Sequence, residues 1–350
     1  MRRRDVIFGG AVLVAAPLAA PHVVRAQAKP FEGVVIRCNG YGGDYEKVLT
    51  QSVAAPIERK LGIKLQFNAG SVQADVARLI ATKDDPPFDL FMGDSPQIAQ
   101  LVSTGVLEKT TVADLPALSR VKPEYREFGD FGVPYSVANV VPVFNSQRVK
   151  PGFTGFADIA RPDMKDRLIM SAGPLGSTGL VILALAQANG GGIENVDPAF
   201  EILQKAKPNI VSLYSTMVTP VQQLESEEAW GGVFWDGRAY ALRKAGKPIE
   251  TVVAKEGIYS VVSYMALVSR SKQRAAALAV LDQLLSDEGI SGLPNFFRYS
   301  PTTDVKLPED VAKDILINSP ERLALKRKID WVRLGELRAG WVDRFNRVMG

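Results

Sequence analysis

The chain has 350 residues, with 42 Lys and Arg against 38 Asp and Glu, one histidine and one cysteine. Its formal charge is +4, but the first 28 residues hold Arg2, Arg3, Arg4 and Arg25 against Asp5 alone, so the rest is nearly neutral and makes no electrostatic case for nucleic acid. The lone histidine, His22, lies in that same segment; beyond it a Ser-His-Asp triad is excluded, and Cys38 alone supports neither an internal disulfide nor a typical zinc site.

Arg2-Arg3-Arg4 precedes an uncharged run, Val6 to Val24, broken by Pro17, Pro21 and His22 and closed by Ala26-Gln27-Ala28. A basic start, a short apolar stretch and an A-x-A end predict a cleaved export signal over residues 1–28, cut near Ala28. A membrane span would need about 20 apolar residues without those prolines. The paired arginines point to twin-arginine export, with general secretion as the alternative. The roughly 320 residues that remain exceed what one core usually organises, so two lobes are expected.

Val34 to Arg37 reads as a strand, with Cys38 at its end as a buried strand thiol. Tyr41-Gly42-Gly43-Asp44 leads into a helix over 45–61, where Val48, Leu49, Val53, Ile57 and Leu61 recur at helical spacing and Gly62 ends the pattern. Ile63 to Phe67 is a strand, Ser71 caps a helix through about Ala81, and Phe88 to Met92 is a third strand before the helix 97–103. Strands alternating with helices across short connections predict a parallel sheet, whose ligands sit beyond the carboxyl ends of the strands. The rim of this sheet therefore holds residues 39–44 and 93–95.

Residues 131–145 are extended, β-branched and interrupted by proline. A second α/β series follows: strand 168–170, helices 179–189 and 198–206, strand 232–235, helix 238–245 and strand 249–253. Ser260 to Val268 is again extended and precedes an Ala/Leu-rich helix, 272–285. Two extended passages flanking a self-contained α/β block predict two lobes joined by two crossing strands.

Six passages in this order resemble the extracellular solute-binding proteins of bacterial ABC importers, in the group holding the spermidine/putrescine, thiamine and ferric-iron binders. They are GYGGDYEKVL at 40–49, FDLFMGDSPQIAQLVSTGVLEK at 88–109, VPYSVANVVPVFNSQRV at 133–149, FADIARPDMKDRLIM at 156–170, GGVFWDGRAYALRKAGKPIETVVAKEG at 231–257 and YSPTTDV at 299–305. No passage is specific alone; the ordered set is. The resemblance implies an α/β, two-lobe periplasmic-binding-protein fold of type II. Lobe 1 would comprise 29–137 plus 260–350, with the C-terminal helices, and lobe 2 residues 138–259. It further implies a periplasmic monomer that closes on a small-molecule ligand and delivers it to a membrane permease, with no catalytic residues, metal or cofactor and no nucleic-acid partner.

Position and chemistry nominate the contacts. Tyr41 and Gly42 lie on the first rim, where Tyr41 meets ligand or packs as a turn aromatic. Asp94 and Ser95 follow the third strand, with Asp94 either pairing an amine or capping a helix. Tyr135 sits at the first crossover. Ser171, Ser177 and Thr178 flank a strand-to-helix loop that captures a carboxylate, phosphate or phosphonate, or is an ordinary cap. Trp235 and Asp236 end the strand GGVFWD and suit a cationic or zwitterionic group, and the family matches Trp235 to a ligand-stacking aromatic. Arg238, just inside the next helix, reads equally as a solvated charge. Tyr259, Ser260 and Ser263 flank the second crossover.

Two departures bear on the ligand. Where polyamine binders hold acids, this chain reads Ser171-Ala172-Gly173 and Val261-Val262-Ser263, and it has no adjacent tyrosine pair of the ferric-binder kind. A zwitterionic, anionic or singly cationic solute remains, and an amino acid-like molecule fits most residues at once. The competing class is an exported enzyme such as a carboxylate-dependent hydrolase. The chain carries no Gly-rich dinucleotide fingerprint, and the pairs Asp84-Asp85 and Glu227-Glu228 lie in polar segments rather than at strand ends.

Overall fold

The computed structural model describes residues 29–173 and 175–350; the export signal expected over 1–28 lies outside the described residues. The chain opens with β1 (Val35–Gly40), α1 (Gly43–Leu49), a π-helical stretch (Thr50–Ala54) and α2 (Ala55–Leu61). The single helix expected over 45–61 is thus interrupted by one wider stretch. Next come β2 (Lys64–Ala69), α3 (Val72–Ala81), β3 (Leu90–Asp94) and α4 (Ser95–Val102). The Ser71 hydroxyl caps α3, accepting the Ala74 N–H at 3.4 Å.

The long strand β4 (Val133–Asn145) leads to β5 (Leu168–Ser171), α5 (Gly176–Ala188), α6 (Asp197–Ala206) and β6 (Ile210–Tyr214). Then follow α7 (Val218–Glu225), β7 (Gly231–Trp235), α8 (Asp236–Lys244) and β8 (Ile249–Thr251). The chain returns along β9 (Tyr259–Leu267) into α9 (Arg274–Leu285), α10 (Asp287–Phe297) and β10 (Ser300–Pro301). It ends in α11 (Glu309–Ala312), α12 (Pro320–Ala324) and α13 (Trp331–Met349).

The strands form one sheet in the order β2-β1-β3-β9-β4-β7-β5-β6, with β8 and β10 also on β4. Its two wings are parallel: β2-β1-β3 on one side and β7-β5-β6 on the other. Only β4 and β9 run antiparallel to their neighbours in both directions. β4 pairs β9 from Val133 to Val140 and β7 from Val140 to Phe144, while β9 pairs β3 from Ser263 to Leu267. These are the two crossing strands. They carry the chain out of one α/β unit and back, and β9 is buried along its whole length because both its faces are covered.

Each wing has an apolar core on both faces. Ile36, Leu90, Leu281 and Phe297 pack on one face of the first and Leu79, Phe91, Ile98 and Tyr264 on the other. Phe156, Met170, Leu183 and Phe200 fill one face of the second, and Ile169, Tyr214, Phe234 and Leu242 its reverse. Two three-layer units in one sheet make the two-lobe α/β fold.

The C-terminal helix lies against both units. Trp331, Leu334, Trp341, Phe345 and Met349 join the second lobe's core beside α5 and α6, although the sequence reading groups 260–350 with the first lobe. The reason is α5 itself: GLVILALAQA is apolar on every side and needs cover on its outer face. The stripe 331/334/341/345/349 recurs at helical spacing and supplies that cover, at about 1.5–3 kcal/mol per large side chain buried. α13 also touches α4 of the first lobe, and the segment before it pairs with Ile258 through Leu325 O and Arg327 N–H. The terminal segment is therefore a third link between the lobes. Among the described residues no helix is long and apolar enough to cross a membrane.

Candidate functional site

The carboxyl ends of β1 and β3 are locked together by Asn39. Its side chain donates to Met92 O at 2.8 Å and accepts the Met92 N–H at 2.6 Å, fully buried. This brings Tyr41 and Asp94 side by side. Gly42, at φ 69°, takes a left-handed turn open to glycine and starts α1.

The Tyr41 hydroxyl donates to Asp94 Oδ1 at 3.0 Å, and the Ser263 hydroxyl from β9 donates to the same oxygen at 2.7 Å. Asp94 is also the N-cap residue of α4, its own N–H donating to Gln97 Oε1 at 3.1 Å in a capping box. Tyr45, one helical turn after Tyr41, meets its ring edge to face at 5.0 Å and bonds the Tyr135 hydroxyl at 3.1 Å. Phe297 lies 6.0 Å from Tyr45 and stacks on Tyr299 at 5.2 Å. Four tyrosines and a phenylalanine thus form one contiguous cluster that meets the Asp94 carboxylate through Tyr41. Burial pushes the phenols of Tyr41, Tyr45, Tyr135 and Tyr299 up, so they are neutral donors and acceptors at neutral pH. Burial also raises Asp94, against its bonds from Ser263 and Tyr41.

The second lobe contributes from the end of β7. Trp235 pairs with Val140 and is half-buried against that lobe's core. Asp236 is buried, and its carboxylate is fully engaged: Oδ1 accepts the N–H groups of Asn139 at 3.0 Å and Gly237 at 2.9 Å, and Oδ2 accepts Asn139 Nδ2 at 2.6 Å. Asn139 Oδ1 in turn accepts the Ser260 hydroxyl at 2.7 Å. This buried triad ties β4, β9 and α8 together where the chain crosses between lobes. Burial raises the Tyr299 phenol, and Asp236 raises it further.

Burial lifts Asp236 to about 6, with the donors from Asn139 and Gly237 pulling back. A carboxyl raised in the folded state contributes stability that is full below its ordinary value and is lost as pH climbs through the folded one. Between about pH 4 and 6 the wild type should therefore lose about 3 kcal/mol that an Asp236→Asn variant does not lose. Calorimetric melts of both proteins across that window measure it; parallel curves would remove the buried-acid account.

The remaining nominated residues fall elsewhere. Ser95 is buried and faces β9: its hydroxyl donates to Glu127 Oε2 at 2.6 Å and accepts the Val262 N–H at 3.1 Å. Glu127 also accepts Lys326 Nζ at 3.0 Å and Trp331 Nε1 at 3.1 Å, anchoring the terminal segment. Thr178 Oγ1 lies 2.9 Å from Ser171 Oγ and 2.6 Å from Ala172 O, closing its own loop. Ser177 is buried with it, and Gly173 of that loop packs against Val342 and Asn346 of α13. Tyr259 is fully buried, its ring 5.2 Å from Phe156 and its hydroxyl on Gln187. The structure therefore gathers Tyr41, Gly42, Asp94, Tyr135, Trp235, Asp236 and Ser260 about the crossing strands. It directs Ser95, Ser171, Ser177, Thr178 and Tyr259 into internal contacts.

Sequence reasoning missed Tyr45, Asn139, Phe297 and Tyr299. Tyr45 was readable as Tyr41 plus four on a helix; Tyr299 opens the YSPTTDV passage but arrives by tertiary convergence. A separate groove of about 580 Å³, lined by residues such as Thr303, Ile315, Ile317 and Leu323, lies away from this cluster, and its Lys122 is paired with Asp304 at 2.9 Å. The tyrosine cluster lies at the carboxyl ends of β1 and β3, beside the crossing strands.

Residues 39–292 match the model of a family described as bacterial extracellular solute-binding protein. The spermidine/putrescine-binding periplasmic protein of Salmonella typhimurium is 24% identical over 234 residues, 65% of this chain and 67% of that protein. An ABC transporter structure from Clostridium perfringens superposes with a TM-score of 0.76 at 20% identity, covering 91% of this chain and 100% of that one. The spermidine/putrescine substrate-binding protein PotD of Streptococcus pneumoniae gives 0.73 at 17% identity, with 91% and 100% covered. These matches favour a binding protein over an exported hydrolase.

Proposed function

The chain belongs to the bacterial extracellular solute-binding proteins, the components that capture solutes for ABC importers, and we propose that it holds a small amine-bearing solute between its lobes at Asp94. The observation that carries this reading is the Asp94 carboxylate at the end of β3, on which the Tyr41 and Ser263 hydroxyls converge beside the packed Tyr41 and Tyr45 rings. An ammonium group fits such a site through a charge-assisted hydrogen bond and through the ring faces. The names of the Salmonella and Streptococcus relatives, which specify spermidine and putrescine, support an amine.

The lobes divide near residues 137 and 260, with α13 riding on the second. Export removes residues 1–28 near Ala28 by the twin-arginine route, and the mature periplasmic monomer gives its solute to a membrane permease, with no nucleic-acid partner. Trp235, at the second lobe's rim, lies beside the apolar part of the solute.

A thermal-shift screen of purified protein against amino acids, polyamines, phosphonates and vitamins tests the reading. An amine-bearing solute at 100 times its Kd should add about 2.7 kcal/mol of stability. Stabilisation by anions alone would sink the assignment of Asp94.

A further inference from the structure

The chain contains two Asn-Gly steps, Asn39-Gly40 and Asn189-Gly190, and the fold treats them oppositely. Such a step is chemically weak, because the glycine's backbone nitrogen can attack the asparagine side-chain carbonyl carbon with no side chain of its own in the way. Asn39 is kept from this reaction. It is fully buried in β1, and both ends of its amide are held by the Met92 backbone, at 2.8 and 2.6 Å.

Asn189 is exposed and ends α5. In the turn that follows, the Gly191 N–H donates to Ala186 O at 2.7 Å, which is one of the two bonds of a Schellman cap. The other would come from the Gly190 N–H, which makes no hydrogen bond among the described residues. The attacking nitrogen is therefore unpaired. Gly190 stands at φ +83°, and no atom lies within 4 Å of where a Cβ would sit on Gly190 or Gly192. Ring closure requires the Asn189 ψ of 29° to turn, and nothing packed on these two glycines opposes it. The side-chain amide is held only by long bonds from Nδ2, to Pro198 O at 3.4 Å and Glu201 Oε2 at 3.3 Å.

We propose that Asn189 is a self-modification site of the folded protein, converting through a cyclic imide to aspartate and isoaspartate while Asn39 is spared. Gly190 N gives its proton to a solvent base and bonds to Asn189 Cγ; the side-chain amide takes up a proton and leaves as ammonia. Water then opens the ring. Attack at Cγ restores the main chain and gives aspartate, whereas attack at the main-chain carbonyl carbon gives isoaspartate, with the chain running through the β-carbon. Either product places a carboxylate where a donor stood, facing Glu201 at the negative end of α5. The junction of α5 with α6 is loosened by it. The change is remote from the solute rim, because α5 leaves the carboxyl end of β5 and runs 13 residues, about 20 Å, before Asn189.

Holding the purified protein in warm, mildly alkaline heavy-oxygen water and mapping its peptides by mass spectrometry tests this, since each conversion takes one oxygen from water. In the folded protein Asn189 should convert many times faster than Asn39, and in urea the two rates should converge. Asn189→Asp should melt about 1–3 °C below the wild type, with faster amide exchange across residues 186–200. Conversion of Asn189 only in urea, or no faster than Asn39 in the folded protein, overturns the site. An Asn189→Asp variant that melts and exchanges like the wild type overturns the loosening of α5.

Discussion

Asp94→Asn is expected to weaken an amine ligand by about ten- to a hundredfold while leaving the unliganded protein at least as stable as the wild type. The amide oxygen still accepts from Tyr41 and Ser263, so the local bonds survive. What is lost is the charge partner, and a hydrogen bond to a charged group contributes about 1.5–3 kcal/mol. The unliganded protein gains because burial raises the Asp94 carboxyl, so its ionised form is held at a cost. That raised position sets the pH behaviour. Stability linked to Asp94 is fullest at low pH and is lost as pH rises through its folded value, whereas amine binding needs the ionised form and falls as pH drops through it. Titrating pentylamine across mildly acidic pH should give a sloping affinity for the wild type and a flat, weak one for the variant. Equal affinities at neutral pH would show that the ammonium rests elsewhere.

The architecture is readable from the sequence because each wing alternates short β-rich runs with amphipathic helices, and because two longer runs, at 133–145 and 259–267, lack a polar face. Both lie in the sheet's centre, where neither side meets water. β6 escaped notice since it is the edge strand beyond β5 and keeps Ile210, Val211 and Ser212 only partly covered, which blurs any alternation. That α13 covers the all-apolar α5 could not be read from its own stripe.

The proximity of Tyr41 to Asp94 was legible because the ends of neighbouring strands alone determine it. Where two successive residues were nominated together, the structure sends their side chains to different partners. Ser260 reaches Asn139 in the crossing triad, and its neighbour Tyr259 points to the opposite face and into the second lobe's core, as consecutive strand residues must. Asp94 and Ser95 also part, for another reason: Asp94 ends β3 toward Tyr41, and Ser95 opens α4 toward Glu127. Asp236, read as a partner for an amine, instead holds the crossing strands through Asn139. Phe297 and Tyr299 come from far along the chain, and nothing near Tyr41 announces them.

Gly237→Ala is expected to keep the lobes from closing fully and to weaken solute capture by about five- to a hundredfold. Gly237 lies in the first turn of α8, whose Ala239 and Leu242 belong to the second lobe's core, and it faces Phe297 and Tyr299 of the first. A Cβ there would stand 2.5 Å from Tyr299 Cε1 and 2.8 Å from the Phe297 carbonyl oxygen. The ring has some freedom, but the carbonyl is backbone and cannot swing away. Either α8 shifts or the lobes stay apart. Overpacking of this kind costs about 1–3 kcal/mol, and under the proposed closure of the lobes it falls on the closed arrangement, since separating the lobes would relieve it. That difference enters the binding constant directly. Solution scattering should show the wild type compacting on saturation with solute and the variant compacting less, with little change in the variant's melting temperature without ligand. Full compaction and unchanged affinity would mean that this contact is not part of the ligand-bound state. A large loss of stability without ligand would mean instead that α8 and the Phe297–Tyr299 segment form a permanent core, and the hinge would have to lie elsewhere.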